Sequence, residues 1–229
     1  MKIAASQIED LYAFTRAHFV EWYDLQTELV DHLANDIEAI WQEQPTLSYT
    51  EARDFSFKKF GVFGFMDVVE NRQKAMGKTY RKYLFLELKK WFEWPQIIAT
   101  LALFLIFLMS FLSSISKPLL VTFYLAGIFW AVYKLFRLKR VFKKRKEISN
   151  KKWLLEEMLF KQSGVAGVVL ASQVGNVFNI PNEIFENSYI VIALAAVITL
   201  LFLINYISFE VLPNKAEELL KKTYPEFVL

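Results

Sequence analysis

His32 and Asp36 are the polar pair whose types and spacing come closest to chemistry. They stand one helical turn apart, about 40° from each other around a helix axis, inside a stripe of Leu25, Leu29, Leu33, Ile37, Ile40 and Trp41. Two polar groups in an apolar face must satisfy each other or a neighbouring backbone group. The spacing therefore predicts a structural polar pair, with a hydrogen-bonded core histidine that fixes helix packing. Two sharper readings compete. An imidazole with an ordinary pKa of about 6.5 titrates near neutrality and can sense pH. Glu28, His32 and Asp36 could ligate a metal, but no second histidine or cysteine cluster supports it. His18, the other histidine, stands in an unrelated amphipathic context. The chain has no cysteine, which excludes thiolate nucleophiles, disulfides and Cys-ligated metals. No phosphate loop or Ser-His-Asp set is visible, so neither an enzyme nor a cofactor is predicted.

The remaining polar candidates sit in apolar surroundings. Ser172, Gln173 and Asn176 interrupt an otherwise apolar, charge-free stretch from Ser163 to Ile180. Within it Ser163, Gly167, Ala171 and Gly175 recur every fourth residue, a small-residue face on which another helix can pack closely. A polar pathway through the membrane is the rival reading. Gln173 and Asn176 lack the charge that marks proton or ion routes, so packing is favoured. Lys139, Arg140, Lys143, Lys144, Arg145 and Lys146 form a basic run within Leu138–Lys152, read as a loop beside the membrane. Such a run sets topology and attracts anionic headgroups at about 1 kcal/mol per basic side chain. A docking surface for an acidic partner is the sharper alternative.

These positions need elements to hold them, and composition says which solvent those elements meet. Of 229 residues 55% are hydrophobic, above the roughly 45–50% of soluble domains, and the excess falls in the second half. Four stretches are predicted to span the membrane, at about 95–115, 118–137, 160–180 and 188–209, since about 20 apolar residues cross the hydrocarbon. Pro95 and Pro118 suit the first helical turn, where a missing N–H costs nothing. Basic residues cluster before the first stretch (Lys74, Lys78, Arg81, Lys82, Lys89, Lys90) and between the second and third, whereas the opposite loops carry only Lys117. The positive-inside rule then puts both termini in the cytoplasm. Trp91, Trp94, Trp130, Trp153, Tyr189 and Tyr206 fall near the expected boundaries, as an aromatic belt would. The first ten residues hold no apolar core of a cleavable signal, so export of the head is not expected.

Residues 1–92 read as a helical head. A first helix is expected over about Ser6–Phe19 and a second over about Asp24–Gln42 on the leucine stripe, ended by Pro45. Ser48 with Glu51 three residues on is a capping box that opens a third. Gly61 suits the left-handed stop position, and a fourth helix runs from near Gly64 toward Phe92. Trp153–Gln162 is expected along the membrane interface, and 213–229 is expected to be a cytoplasmic tail with a short amphipathic helix.

The segments ELVDHLANDIEAI and SYTEARDFSFKKFG resemble the short helical HAAS domain, also called the permease prefix domain. The matching positions are Glu28, Leu29, His32, Leu33, Ile37, Glu51, Ala52, Phe60 and Gly61. The chain departs where Pro45-Thr46 stands in place of a glycine, and where FGVFGFM replaces Phe-Gly-Asp-Pro. The resemblance implies a bacterial membrane protein with its head upstream of transmembrane helices, of a kind often paired with PadR-like transcription regulators.

The expectation is thus an all-α protein: a HAAS-like head (1–92), a four-helix transmembrane domain (93–212) and a tail (213–229), in the cell membrane with both termini inside. Its partners would be the lipid bilayer, a cytoplasmic protein and, for a homo-oligomer, further copies, with no direct contact to nucleic acid. A regulatory or adaptor role is favoured, with a small transporter, channel component or permease accessory as the alternative. Reporters fused to either end should both be inaccessible from outside intact cells, and one accessible end would sink this topology.

Overall fold

The computed structural model describes residues 2–149 and 151–224. Helix accounts for 82% of the structure, with no strand among the described residues, so the fold is all-α. The helices are α1 (Ala5–Ala17), α2 (Tyr23–Glu43), α3 (Tyr49–Lys58), α4 (Met66–Lys90), α5 (Gln96–Phe111), α6 (Ser116–Ser149), α7 (Leu154–Ser172), α8 (Val174–Phe178), α9 (Ser188–Tyr206), α10 (Leu212–Asn214) and α11 (Ala216–Thr223). A 3-10 turn, Asn182–Phe185, precedes α9, and a π turn, Ile207–Val211, follows it. The chain divides into two compact units, Met1–Lys78 with Ser149–Glu157, and Thr79–Ile148 with Met158–Leu229.

In the first unit α2 is the central element. Leu25, Leu29, Val30, Leu33, Ile37, Ile40 and Trp41 are all buried along it. Leu11 from the first helix, Ala52 from the third, Phe65 and Val69 complete the core. The expected capping box is present: Glu51 N donates to Ser48 Oγ at 3.4 Å, and Ser48 N donates to Glu51 Oε2 at 3.0 Å. Trp41 Nε1 donates to Leu47 O at 3.0 Å and pins the turn through Pro45. Gly61 takes φ 77° and Gly64 φ 54°. A Cβ on Gly64 would lie 2.8 Å from Cζ of Phe57. That ring belongs to an aromatic cluster with Phe14, His18, Phe60 and Phe65, at centroid distances of 4.4–6.5 Å from Phe57.

The unit differs from the contiguous 1–92 head in two ways: it ends at Lys78, and it takes in Ser149–Glu157. Trp153, expected in an interfacial belt, is 2% exposed and buried with Leu154 and Leu155.

In the second unit, α5 packs along α9 through Phe107, Phe111, Val191 and Ala195, and Leu120 of α6 joins the same cluster. A second cluster joins Ala131, Leu138 and Phe209 to Trp130, Leu135, Phe160 and Leu170. Pro95 stands just before α5 and Pro118 in the first turn of α6, as their chemistry requires. Among the described residues, two helical stretches are long and apolar enough to cross a membrane, Ser116–Arg145 and Ser188–Asn214, while Gln96–Phe111 is apolar and shorter. The stretch expected as one span over 160–180 is instead α7 and α8, broken at Gln173, and it does not join that set. The basic run expected as a loop is helical. From 138 to 149 it holds Leu, Lys, Arg and Glu with no Gly or Pro, so nothing ends α6 at the last apolar residue. At 34 residues it is about 51 Å long.

Gly64→Ala should destabilise the full-length protein by more than about 1 kcal/mol, since a side chain at positive φ adds strain and the Phe57 ring must move. Gly77→Ala, where a Cβ meets nothing within 4 Å, should be neutral or mildly stabilising. Thermal melts followed by circular dichroism compare the two, and equal melting would refute the assignment.

Candidate functional site

The first unit contains a clasp between the α1–α2 junction and the segment that opens α7. After α1 the chain reverses through Phe19, whose φ is 65°, and Gln26 Nε2 reaches back to Val20 O at 2.6 Å. The reversal presents Glu21, Trp22, Tyr23 and Asp24 together. Tyr23 N donates to Lys152 O at 2.8 Å. Leu154 N donates to Asp24 Oδ1 at 3.1 Å, so a carboxylate from α2 caps the start of α7. Trp22 Nε1 donates to Glu157 Oε2 at 2.6 Å. Lys151 lies 3.8 Å over the Tyr23 ring, and Tyr23 and Trp153 meet edge to face at 5.5 Å. Lys152 bonds Glu157 at 2.8 Å and also pairs with Glu21. Partial burial alone would lower the Lys152 pKa, but the two glutamates outweigh it and raise it.

The second unit has a polar cluster at the π turn, buried at Ser208 and open toward Asn214. Widening a helix by one residue re-aims its side chains, which is why π turns recur at functional positions. Here Ser208 and Phe209 are buried while Glu210 points to α6 and pairs with Lys134. Tyr80 Oη donates to Ser208 Oγ at 3.1 Å. Ser163 Oγ lies 2.7 Å from Ser208 O and 2.9 Å from Leu159 O. Asn214 Nδ2 donates to Glu210 Oε1 at 3.2 Å, and Phe209 meets Trp130 edge to face at 5.6 Å. Four polar side chains from four helices thus converge on one turn. Nearby in sequence, Glu87 accepts from Lys215 and Lys90, each at 2.8 Å. Burial raises the Glu87 pKa, but those two ammonium groups outweigh it and leave it lowered.

The expected buried histidine is not what the structure holds. His32 is exposed, with its ring 5.6 Å from Phe60. The buried arc of α2 centres near Val30 and Leu33, and His32 falls about 110° from that centre. Asp36 bonds Lys59 at 2.7 Å rather than His32. Partial burial raises its pKa, but bonds from Lys59 and Ser56, with the Lys59 and His32 charges, bring it below the usual value. Glu28 pairs with Arg72, so the three metal candidates face different partners.

Of the small-residue face, two members pack. Ser163 is fully buried, and a Cβ on Gly167 would stand 3.0 Å from Leu135 Cδ1. Ala171, near the end of α7, and Gly175, beyond the break at Gln173, are exposed. Asn176 Nδ2 donates to Gln173 Oε1 at 2.7 Å, and both side chains are exposed at that break. Lys139, Arg140, Lys143, Lys144 and Arg145 line the C-terminal half of α6, and the side chain of Lys146 lies outside the described residues. So do residues 225–229 of the expected tail, whose amphipathic helix is α11.

Sequence reasoning missed Glu210 and Ser208. A signal was present: Glu210 directly follows the uncharged run 187–209, as Lys134 follows the uncharged run 118–133, with opposite sign. Comparison with family models, with curated proteins and with solved structures gives no match.

Three outcomes follow. Trp153→Ala should cost about 3–5 kcal/mol as a buried aromatic truncation, and Asp24→Ala about 1 kcal/mol as a lost cap, both read as melting shifts of the full-length protein. Lys134→Met should destabilise more than Lys134→Met with Glu210→Gln, because the single change strands a half-buried carboxylate; the reverse order would disprove the pairing. Glu87 has a lowered pKa, so its contribution is present above the ordinary 4.5 and is lost as pH falls below that. Acid titration of Glu87→Gln should show a shallower loss of stability than the native chain.

Proposed function

We propose that this chain is a membrane-anchored regulatory or adaptor protein whose helical head engages a cytoplasmic partner. The observation that carries the reading is the clasp. Residues that lead into α7 are held by Trp22, Tyr23 and Asp24 within the same compact unit as the head helices. A partner that binds the clasped state more tightly than the released state would shift the balance between them, and α7 would carry the change onward.

Two further features support it. Large apolar side chains cover the outside of the long helices, among them Leu101, Leu105, Met109, Phe129, Phe136, Val197 and Phe202, all more than 44% exposed. Water tolerates such continuous surface poorly, and a bilayer accommodates it. With α5 and the α7–α8 stretch added to the two long apolar helices, the reading is a four-helix membrane bundle in the cell membrane, both ends cytoplasmic. On the head, Phe19, Val62, Phe63 and Met66 are 48–98% exposed, a surface suited to a protein partner. The likeness of residues 28–61 to the HAAS domain favours a PadR-like regulator as that partner.

The test is retention of a purified PadR-like regulator by membranes carrying the full-length protein. Retention that changes several-fold on Trp22→Ala or Asp24→Ala supports the reading. A regulator indifferent to the chain, or recovery of the chain in a detergent-free wash, would overturn it.

A further inference from the structure

We infer that one face of α6 is a binding site for the phosphate headgroup of an anionic phospholipid. The residues from Pro118 to Tyr133 are uncharged, and cations begin directly after them. Lys134 is spent on Glu210. The next cations are arranged differently. Arg137, Arg140 and Lys144 fall within about 60° of one another around the helix and line an open hollow of about 610 Å³ with Tyr133, Phe136, Val141, Lys143 and one carboxylate, Glu147. Arg140 and Lys144 have no carboxylate within ion-pair distance among the described residues. Lys143, at the edge of the face, lies 3.9 Å from Glu147.

The order along the face identifies the occupant. Tyr133 and Phe136, 62% and 63% exposed, come first, and the guanidinium and ammonium groups follow one and two turns later. A phospholipid offers the same sequence, acyl chain and then phosphate. Arginine forks match phosphate oxygens in bidentate fashion, while aromatic rings sit at the headgroup level. An acidic protein segment would satisfy the cations but would leave Tyr133 and Phe136 uncovered.

The inference rests on the membrane reading, and its experiment fails separately from it. Full-length protein is purified in a neutral detergent and offered phosphatidylglycerol or phosphatidylcholine in equal amounts, with retained lipid counted by native mass spectrometry. Native protein should retain phosphatidylglycerol about tenfold over phosphatidylcholine. Arg137→Gln/Arg140→Gln/Lys144→Gln should abolish the preference. Arg140→Gln/Lys144→Gln, which leaves Arg137 in place, should weaken it several-fold with unaltered melting in phosphatidylcholine. Lys74→Gln/Lys78→Gln/Arg81→Gln should keep it. Native protein without preference, or a preference that survives the paired variant, overturns the site. So does protein indifferent to lipid charge that binds poly-glutamate through these side chains, which would assign the face to an acidic protein segment. Recovery in a detergent-free wash would instead sink the membrane reading itself.

Discussion

Burial of Trp153, Leu154 and Leu155 is the interaction on which the first unit's organisation depends. Each is no more than 2% exposed, and burying such side chains is worth roughly 1.5–3 kcal/mol apiece. They arrive from beyond a 34-residue helix, so the chain must close a long loop to seat them. Loop-closure entropy grows only logarithmically with length, which makes this closure affordable once several apolar side chains and three hydrogen bonds are gained together. The polar part of the clasp adds direction. Asp24 satisfies the first amide of α7, and Trp22 fixes Glu157, so the segment docks in one register rather than as a loose apolar contact.

The second unit solves a different problem. Its helices carry few buried polar side chains: Thr100 bonds Trp91 O and Thr199 bonds Ala195 O, while Ser163 and Ser208 meet at the turn Ser208–Glu210. An unpaired hydroxyl or charge in apolar surroundings is costly, so Tyr80, Ser163, Lys134 and Asn214 each meet a group on that turn. The π geometry lets one short stretch present a carbonyl, a hydroxyl and a carboxylate to different neighbours. Helices that would slide freely on apolar surfaces alone are thereby given a defined register.

Much of the local structure was legible in residue order, and the reasons are local too. The α2 stripe, the Ser48–Glu51 box, the stop at Gly61 and the absence of alternating strands each depend on residues within a few positions of one another. His32 shows where this ends. Its spacing with Leu33 and Ile37 is compatible with burial, but the arc that became buried was decided by where α1 and α3 pack, and it left His32 outside. Asp36 found Lys59 from another helix. The basic run continues α6 because its helix formers give no reason to stop, and a change from apolar to charged residues is not by itself a change of structure.

Sequence alone determined that the chain is helical, that its second half carries the apolar excess, and where the cations lie. Periodicity and composition report these directly. Only tertiary structure decided which segment completes the first unit, which half of the Ser163–Gly175 face packs, and that carboxylates such as Glu210, Glu87 and Asp24, rather than His32, are held by distant partners. A helical pattern records which side of an element is apolar; it carries no record of the element that will cover it.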